Sequence, residues 1–295
     1  MIRHSKRDRI FLIVNTSILT LFLLIVFYPM WLVVISSFSD PKAVTAGKVV
    51  VFPVGLSLEG YKAIFSYRMI IRGFGNSLVL MVLGTIFCIF VTSLGGYPLS
   101  RPDLPGKKYI MFIYTFTMYF GGGMIPYFLL IKNLHLMNTI WALVIPSGLS
   151  VWNIILMKTY FQTSVPDEIF QAARVDGCSD IVYLVRIGLP LAKPIIAVLS
   201  LFTAVGMWNS YFNALLFLND TELFPLQLVL RDILVVNATN TTEFVQDVES
   251  IKKQQELVAL LKYSVIVASS APLMILYPFV QKYFVKGIMV GSLKG

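Results

Sequence analysis

Six stretches of this chain run for about 19 residues or more without Asp, Glu, Lys or Arg: 10–39, 73–100, 109–131, 133–157, 194–219 and 263–281. A helix of about 20 apolar residues crosses the roughly 30 Å hydrocarbon core of a bilayer. In lipid every backbone N–H and C=O must find a partner inside the protein, which leaves helices or closed barrels as spanning structures. The expected fold class is therefore all-α: a polytopic membrane protein with six transmembrane helices. The spans are expected at 10–36, 73–98, 109–131, 139–160, 194–218 and 263–281, within a transmembrane domain covering 10–285. Composition agrees, since 57% of the 295 residues are apolar, 13% are charged and the mean hydropathy is +0.78. No long polar stretch remains to build a large soluble domain.

The charges between these stretches are asymmetric. With residues 1–9 in the cytoplasm, alternate loops and the tail at 286–295 share that side, and they hold 14 of the 24 Lys and Arg against 6 of the 15 Asp and Glu. The opposite side holds the other 10 basic and 9 acidic residues. This is the positive-inside pattern, and it predicts both termini and the loop 161–193 in the cytoplasm, with an outer loop at 219–262. The net charge of +9 is thus a topology signal. No basic patch with interleaved aromatics points to nucleic acid. The first apolar run is too long for a signal-peptide core and no small-residue cleavage pattern follows it, so it reads as an uncleaved span. The polar segment 36–72, punctuated by Pro and Gly, has room for short helices. Helical apolar spacing over 243–262 predicts a helix lying on the outer face.

Several chemistries are missing. The Gly-Lys pairs at Gly47 and Gly106 lack the rest of a phosphate-binding loop. No Gly-x-Ser-x-Gly elbow occurs. Two histidines and two cysteines, all far apart in sequence, offer no metal-ligand spacing. The apolar runs carry no charged residue for proton or ion coupling. The chain is expected to be non-catalytic, with no cofactor of its own and its energy supplied from outside.

Between the fourth and fifth runs lies the most specific motif, Gln171-Ala172-Ala173, then Gly177 after three residues, then Ile187, Leu189 and Pro190 after nine more. Ser164, Pro166 and Asp167 read as a helix start. Gly177 reads as its stop, and a second short helix is expected over 179–186. This spacing resembles the signature of permease subunits of ABC importers, which carry Glu-Ala-Ala where this chain has Gln171. The resemblance implies that the loop docks in a groove of an ATPase subunit, with Asp167, Glu168, Gln171, Ala172, Ala173, Arg174, Asp176, Gly177, Ile187, Leu189 and Pro190 as the docking set. Small side chains at Ala172 and Ala173 suit deep seating, and Arg174 and Asp176 are candidates to pair across that interface.

The order of basic N-terminus, six spans and docking loop looks like the carbohydrate branch of these permeases. It is similar to the maltose-system subunit with six spans and, in residues 120–153 and 207–220, to oligosaccharide permeases of Gram-positive bacteria. The resemblance implies a bacterial cell-membrane importer of type I: a second, unlike permease, two ATPase subunits carrying ATP and Mg, an extracellular sugar-binding protein, an oligosaccharide substrate and surrounding membrane lipid. Candidate pathway residues are Phe120 and Gly122, where three glycines and Pro126 in mid-membrane read as a break lining the pathway, with Trp152, Asn153, Trp208, Asn209, Tyr211 and Asn213, the fifth-span set because sugar faces stack on rings and hydroxyls bond amides. Two plainer readings stay open. The glycines of 121–123 also suit close helix packing, and aromatics beside amides also make an interfacial belt. In the maltose system the partner permease holds the sugar. A permease for peptides, amino acids or metal chelates is the alternative function, and a channel or membrane-anchored enzyme is a further alternative class.

Overall fold

The computed structural model describes residues 6–233, 261–275 and 277–278, and among these the regular structure is entirely helical. Residues 243–260 of the helix expected over 243–262, the tail 286–295 and the last residues of the sixth span lie outside the described residues. The chain forms two compact units, Met1–Arg68 with Leu230–Ala271, and Met69–Val229 with Pro272–Gly295.

The first unit begins with α1 (Lys6–Ser37), 32 residues long. Its apolar side chains point outward all round the helix: Phe11, Phe22, Leu23 and Ile25 are each more than 60% exposed. A helix apolar on every face is a helix built for lipid. Only its last turn is buried, where Ser37 Oγ donates to Val34 O at 2.7 Å and lies 2.9 Å from the Tyr61 hydroxyl. Ser264 Oγ donates to Ser37 O at 3.3 Å. Two short helices, α2 (Pro41–Thr45) and α3 (Glu59–Ser66), occupy the expected polar segment; Asp40 caps α2 by accepting from the Lys42 N–H. The unit also holds most of the apolar helical stretch described at Leu261–Ile275.

The second unit is built on α4 (Arg68–Ser100), 33 residues long. It continues through α5 (Lys107–Tyr119), α6 (Met124–Asn133), α7 (Trp141–Ser147), α8 (Val151–Ser164), α9 (Asp167–Val175), α10 (Asp180–Tyr183), a π-helical turn (Leu184–Gly188), α11 (Leu189–Leu191), α12 (Lys193–Trp208), α13 (Phe212–Phe217) and α14 (Leu226–Arg231). Glycines let these helices approach closely. A Cβ on Gly84 would stand 2.7 Å from the Met207 side chain, and one on Gly96 would stand 2.7 Å from Met157. Without a hydrophobic drive between helices in lipid, such small-residue contacts and buried polar bonds hold the bundle. The Cys88 sulfur on α4 supplies the polar link, accepting from Asn153 Nδ2 of α8 at 3.4 Å and from Thr203 Oγ1 of α12 at 3.5 Å.

Among the described residues, three helical runs are long and apolar enough to cross a membrane: Lys6–Ser37, Arg68–Ser100 and Trp141–Ser164. Asp180–Leu191 with Lys193–Trp208 forms a fourth if the pair, bent by 80°, is one span. The run expected as one span at 109–131 is two helices separated at Phe120–Gly123, and the run at 194–218 is interrupted at Asn209–Tyr211. Counting uncharged residues finds apolar length but is blind to such interruptions, which depend on local backbone conformation.

Candidate functional site: the helix pair at 167–191

The pair is closed by local chemistry. Asp167 and Glu168 stand in the first turn of α9 and Arg174 in its last, each complementing the helix dipole. Ser164 ends α8, and Pro166 rather than Ser164 occupies the N-cap of α9. At the other end Gly177 takes φ +76°. The Cys178 N–H then reaches back to Ala173 O at 2.9 Å, and the Gly177 N–H to Arg174 O at 3.0 Å. These two bonds are a Schellman closure, for which glycine is the preferred residue. The second helix runs further than 186: α10 passes through the π turn into α11 and ends at Leu191. Pro190 explains the irregular turn, because its ring cannot sit over the carbonyl four residues earlier.

The pair stands on a buried aromatic base. Phe170 and Tyr183 are 3% and 2% exposed, and their rings meet edge to face at 5.1 Å. Tyr183 stacks on Tyr97 of α4 at 5.8 Å, and Tyr97 meets Phe161 of α8 at 5.7 Å. The Arg101 guanidinium covers the Phe170 ring at 3.2 Å. Arg101 also pairs with Asp167 at 3.3 Å, while Asp103 pairs with Arg174 at 3.4 Å. Burial raises the Tyr183 hydroxyl above its ordinary pKa, with Arg101 acting in the opposite direction. Burial also lowers Lys107, assisted by the charges of Lys158 and Arg101. Lys107 Nζ donates to Arg101 O at 3.0 Å and to Ser100 O at 3.4 Å, where Gln162 Nε2 also donates at 3.1 Å.

The outward face carries most of the predicted docking set. Asp167, Glu168, Gln171, Ala172, Arg174, Asp176, Gly177 and Pro190 are exposed, and Ile187 and Leu189 are half-buried. Ala173 instead faces inward and is 7% exposed, so Ala172 is the alanine presented outward. Arg174 is engaged by Asp103 of the same chain. Apolar side chains sit among these polar groups: Val175 is 88% exposed, Ile181 76% and Val185 57%. A Cβ built on Gly177 would touch nothing within 4 Å. A closed wedge with exposed aliphatics inside a rim of carboxylates can fill a groove on another protein. Sequence reading missed Arg101 and Asp103. Their signal was present in the alternation of opposite charges across two short loops on one predicted side.

The predicted pathway residues are scattered over several environments. Trp208 is 1% exposed and meets Phe74 edge to face at 5.3 Å. Asn153 is buried against Cys88. Trp152 and Phe120 are exposed at 56% and 67%, and Tyr211 at 45%. Asn209 is exposed and donates to Val205 O at 2.9 Å, and Asn213 is half-buried. Phe120, Gly122, Asn209 and Tyr211 share one property: all lie at the interruptions of 120–123 and 209–211. The helices that follow these interruptions pack together, with Phe217 of α13 against Tyr127 and Phe128 of α6 at 5.4 and 6.2 Å.

Residues 104–290 match the family model described as binding-protein-dependent transport system inner membrane component. The chain is 37% identical over 289 residues, covering 98% of itself and all of its relative, to a polygalacturonan/rhamnogalacturonan transport system permease protein of Bacillus subtilis (strain 168). It is 36% identical to the protein LplC of the same organism, over 99% of this chain and 97% of that one. Among solved structures, it matches a chain of a bacterial ABC transporter involved in the import of the acidic polysaccharide alginate, with a TM-score of 0.87 and 33% identity, covering 96% of this chain and all of the other.

Proposed function

This chain belongs to the family of binding-protein-dependent transport system inner membrane components, and from that membership we propose that it is one permease subunit of an ATP-binding-cassette importer for an oligosaccharide. It works in the bacterial plasma membrane, with both termini and the loop 161–193 in the cytoplasm. Its partners are a second, unlike permease, two ATPase subunits and an extracellular sugar-binding protein. The chain itself catalyses nothing; ATP and Mg belong to the ATPase subunits. The names of the permease and importer it resembles support a saccharide cargo. The alginate importer favours an acidic saccharide over a neutral one.

The observation that carries this reading is the exposed face of the helix pair, with Val175 and Ile181 bare beside Glu168, Gln171 and Ala172. A soluble loop facing only water has no reason to present that much aliphatic surface. Seated in an ATPase groove, the face receives the motion of nucleotide-driven closure. The spans then exchange between inward-open and outward-open packings, and ATP biases that exchange only through its unequal contact with the two states. The test is to purify the tagged chain from its native host, identify co-purifying subunits, and reconstitute the complex with its binding protein. We expect an ATPase and a second permease to be retained, and labelled acidic oligosaccharide to enter proteoliposomes in preference to peptide. Retention of no ATPase refutes the docking reading; peptide uptake with no saccharide uptake refutes the cargo.

A further inference from the structure

We propose that Arg101 is a positioning residue that makes the docking helix α9 and the long helix α4 a single moving body, so that work delivered at α9 reaches the far end of α4. The inference rests on the docking reading above.

Asp103 and Asp167 are more than half exposed, so their ion pairs alone would contribute little. What distinguishes Arg101 is its setting. Its side chain is only 16% exposed, and its guanidinium lies on the face of a ring that is itself 3% exposed. A planar guanidinium can stack on a ring and bond a carboxylate in its plane at once, which an ammonium cannot do. Arg101 thereby holds α9 at two points one turn apart, Asp167 and Phe170. Its own backbone is fixed as well: Arg101 N–H donates to Pro98 O at 3.0 Å, and Lys107 Nζ donates to Arg101 O at 3.0 Å. Lys107 Nζ also reaches the last carbonyl of α4, Ser100 O, at 3.4 Å, a cation placed as the helix dipole favours.

The other end of α4 is tied with comparable care. Arg72 pairs with Glu222, Asn76 Nδ2 donates to the carbonyls of Glu222 and Phe224 at 2.8 and 3.0 Å, and Ser77 Oγ accepts from the Leu226 N–H at 2.9 Å. Between the two ends, Gly84 and Gly96 seat α4 directly on Met207 and Met157. Close-packed contacts of this kind transmit displacement and do not absorb it. The segment 220–226 therefore moves with the docking helix through α4, and Arg101 is the joint.

The test uses the whole transporter with its binding protein in proteoliposomes. Retention of the ATPase by the unsubstituted chain is measured first; its absence sinks the docking reading and this inference together. R101A is expected to retain the ATPase and to hydrolyse ATP, while substrate moved per ATP falls about tenfold. R101K keeps the charge without the planar stack and is expected to recover only part of that loss. A ratio unchanged in R101A overturns the clamp alone, and so does equal loss of ATPase retention in R101A and R101K, which would make Arg101 a folding residue.

Discussion

Gly177 and Gly123 both hold positive φ, at +76° and +85°, yet one closes a turn with both N–H groups bonded and the other, whose carbonyl accepts from the Tyr127 N–H, follows two glycines whose backbone makes no bond among the described residues. Around Gly177 both orphan N–H groups find carbonyls of α9, and the turn sits on the Phe170–Tyr183–Tyr97 base. Around Gly123, which combines φ +85° with ψ 175°, no hydrogen bond among the described residues uses the backbone of Gly121 or Gly122. That backbone conformation is available almost only to glycine. The contrast separates two jobs that a transporter must combine. A turn with all its bonds made and a buried base beneath it keeps its shape under load. An interruption with unclaimed N–H and C=O groups inside an apolar run survives where neighbouring helices or a water-filled cavity can satisfy them.

Five substitutions can break or sharpen this contrast. Phe170→Ala has the largest expected effect, about 3–4 kcal/mol, because it removes a buried ring and the surface on which Arg101 stacks. Thermal unfolding of the detergent-solubilised complex should show the loss, and the ATPase should dissociate more readily. Gly177→Val comes next. A β-branched residue at φ +76° carries a strain of about 2 kcal/mol, and its side chain projects into space that this chain leaves empty. Transport should collapse while residual ATP hydrolysis persists, as read by uptake and phosphate release in the same vesicles. Normal transport in that variant would count against the docking role.

Gly123→Ala should cost about 1 kcal/mol through its backbone alone, since a Cβ there meets nothing within 4 Å. Gly121→Ala meets nothing either and has no positive φ, so it should leave the unfolding temperature unchanged; equal effects at the two positions would show that packing, not conformation, selects these glycines. A small loss is expected of Asn153→Ala, which removes a side-chain bond between helices valued at about 0.6 kcal/mol in membrane proteins. Its unfolding temperature should drop slightly with transport intact. A large loss of uptake would instead place Asn153 on the substrate path.

Much of the helix pair at 167–191 was legible in the chain. Its turn follows from Gly177 and the start of its first helix from Pro166 and Asp167, although Pro166 and not Ser164 takes the cap. The irregular continuation to Leu191 was not, although Pro190 announced some disturbance. The interruption at 120–123 was signalled by three consecutive glycines. That at 209–211 carried no comparable mark, since Asn209, Ser210 and Tyr211 are each tolerated within helices.

By itself, the sequence determined an all-helical membrane chain, the locally closed turn at Gly177 and the motif spacing that identifies its family. These depend on composition and on contacts within a few residues, which linear order preserves. Only the tertiary structure decided that Ala173 faces inward, that Arg174 is held by Asp103, that Trp208 is buried against Phe74 and that Arg101 binds α9 to α4. Those outcomes rest on side chains more than 60 residues apart in the chain meeting across helices. The direction of a side chain around its helix is fixed by the neighbours it packs against.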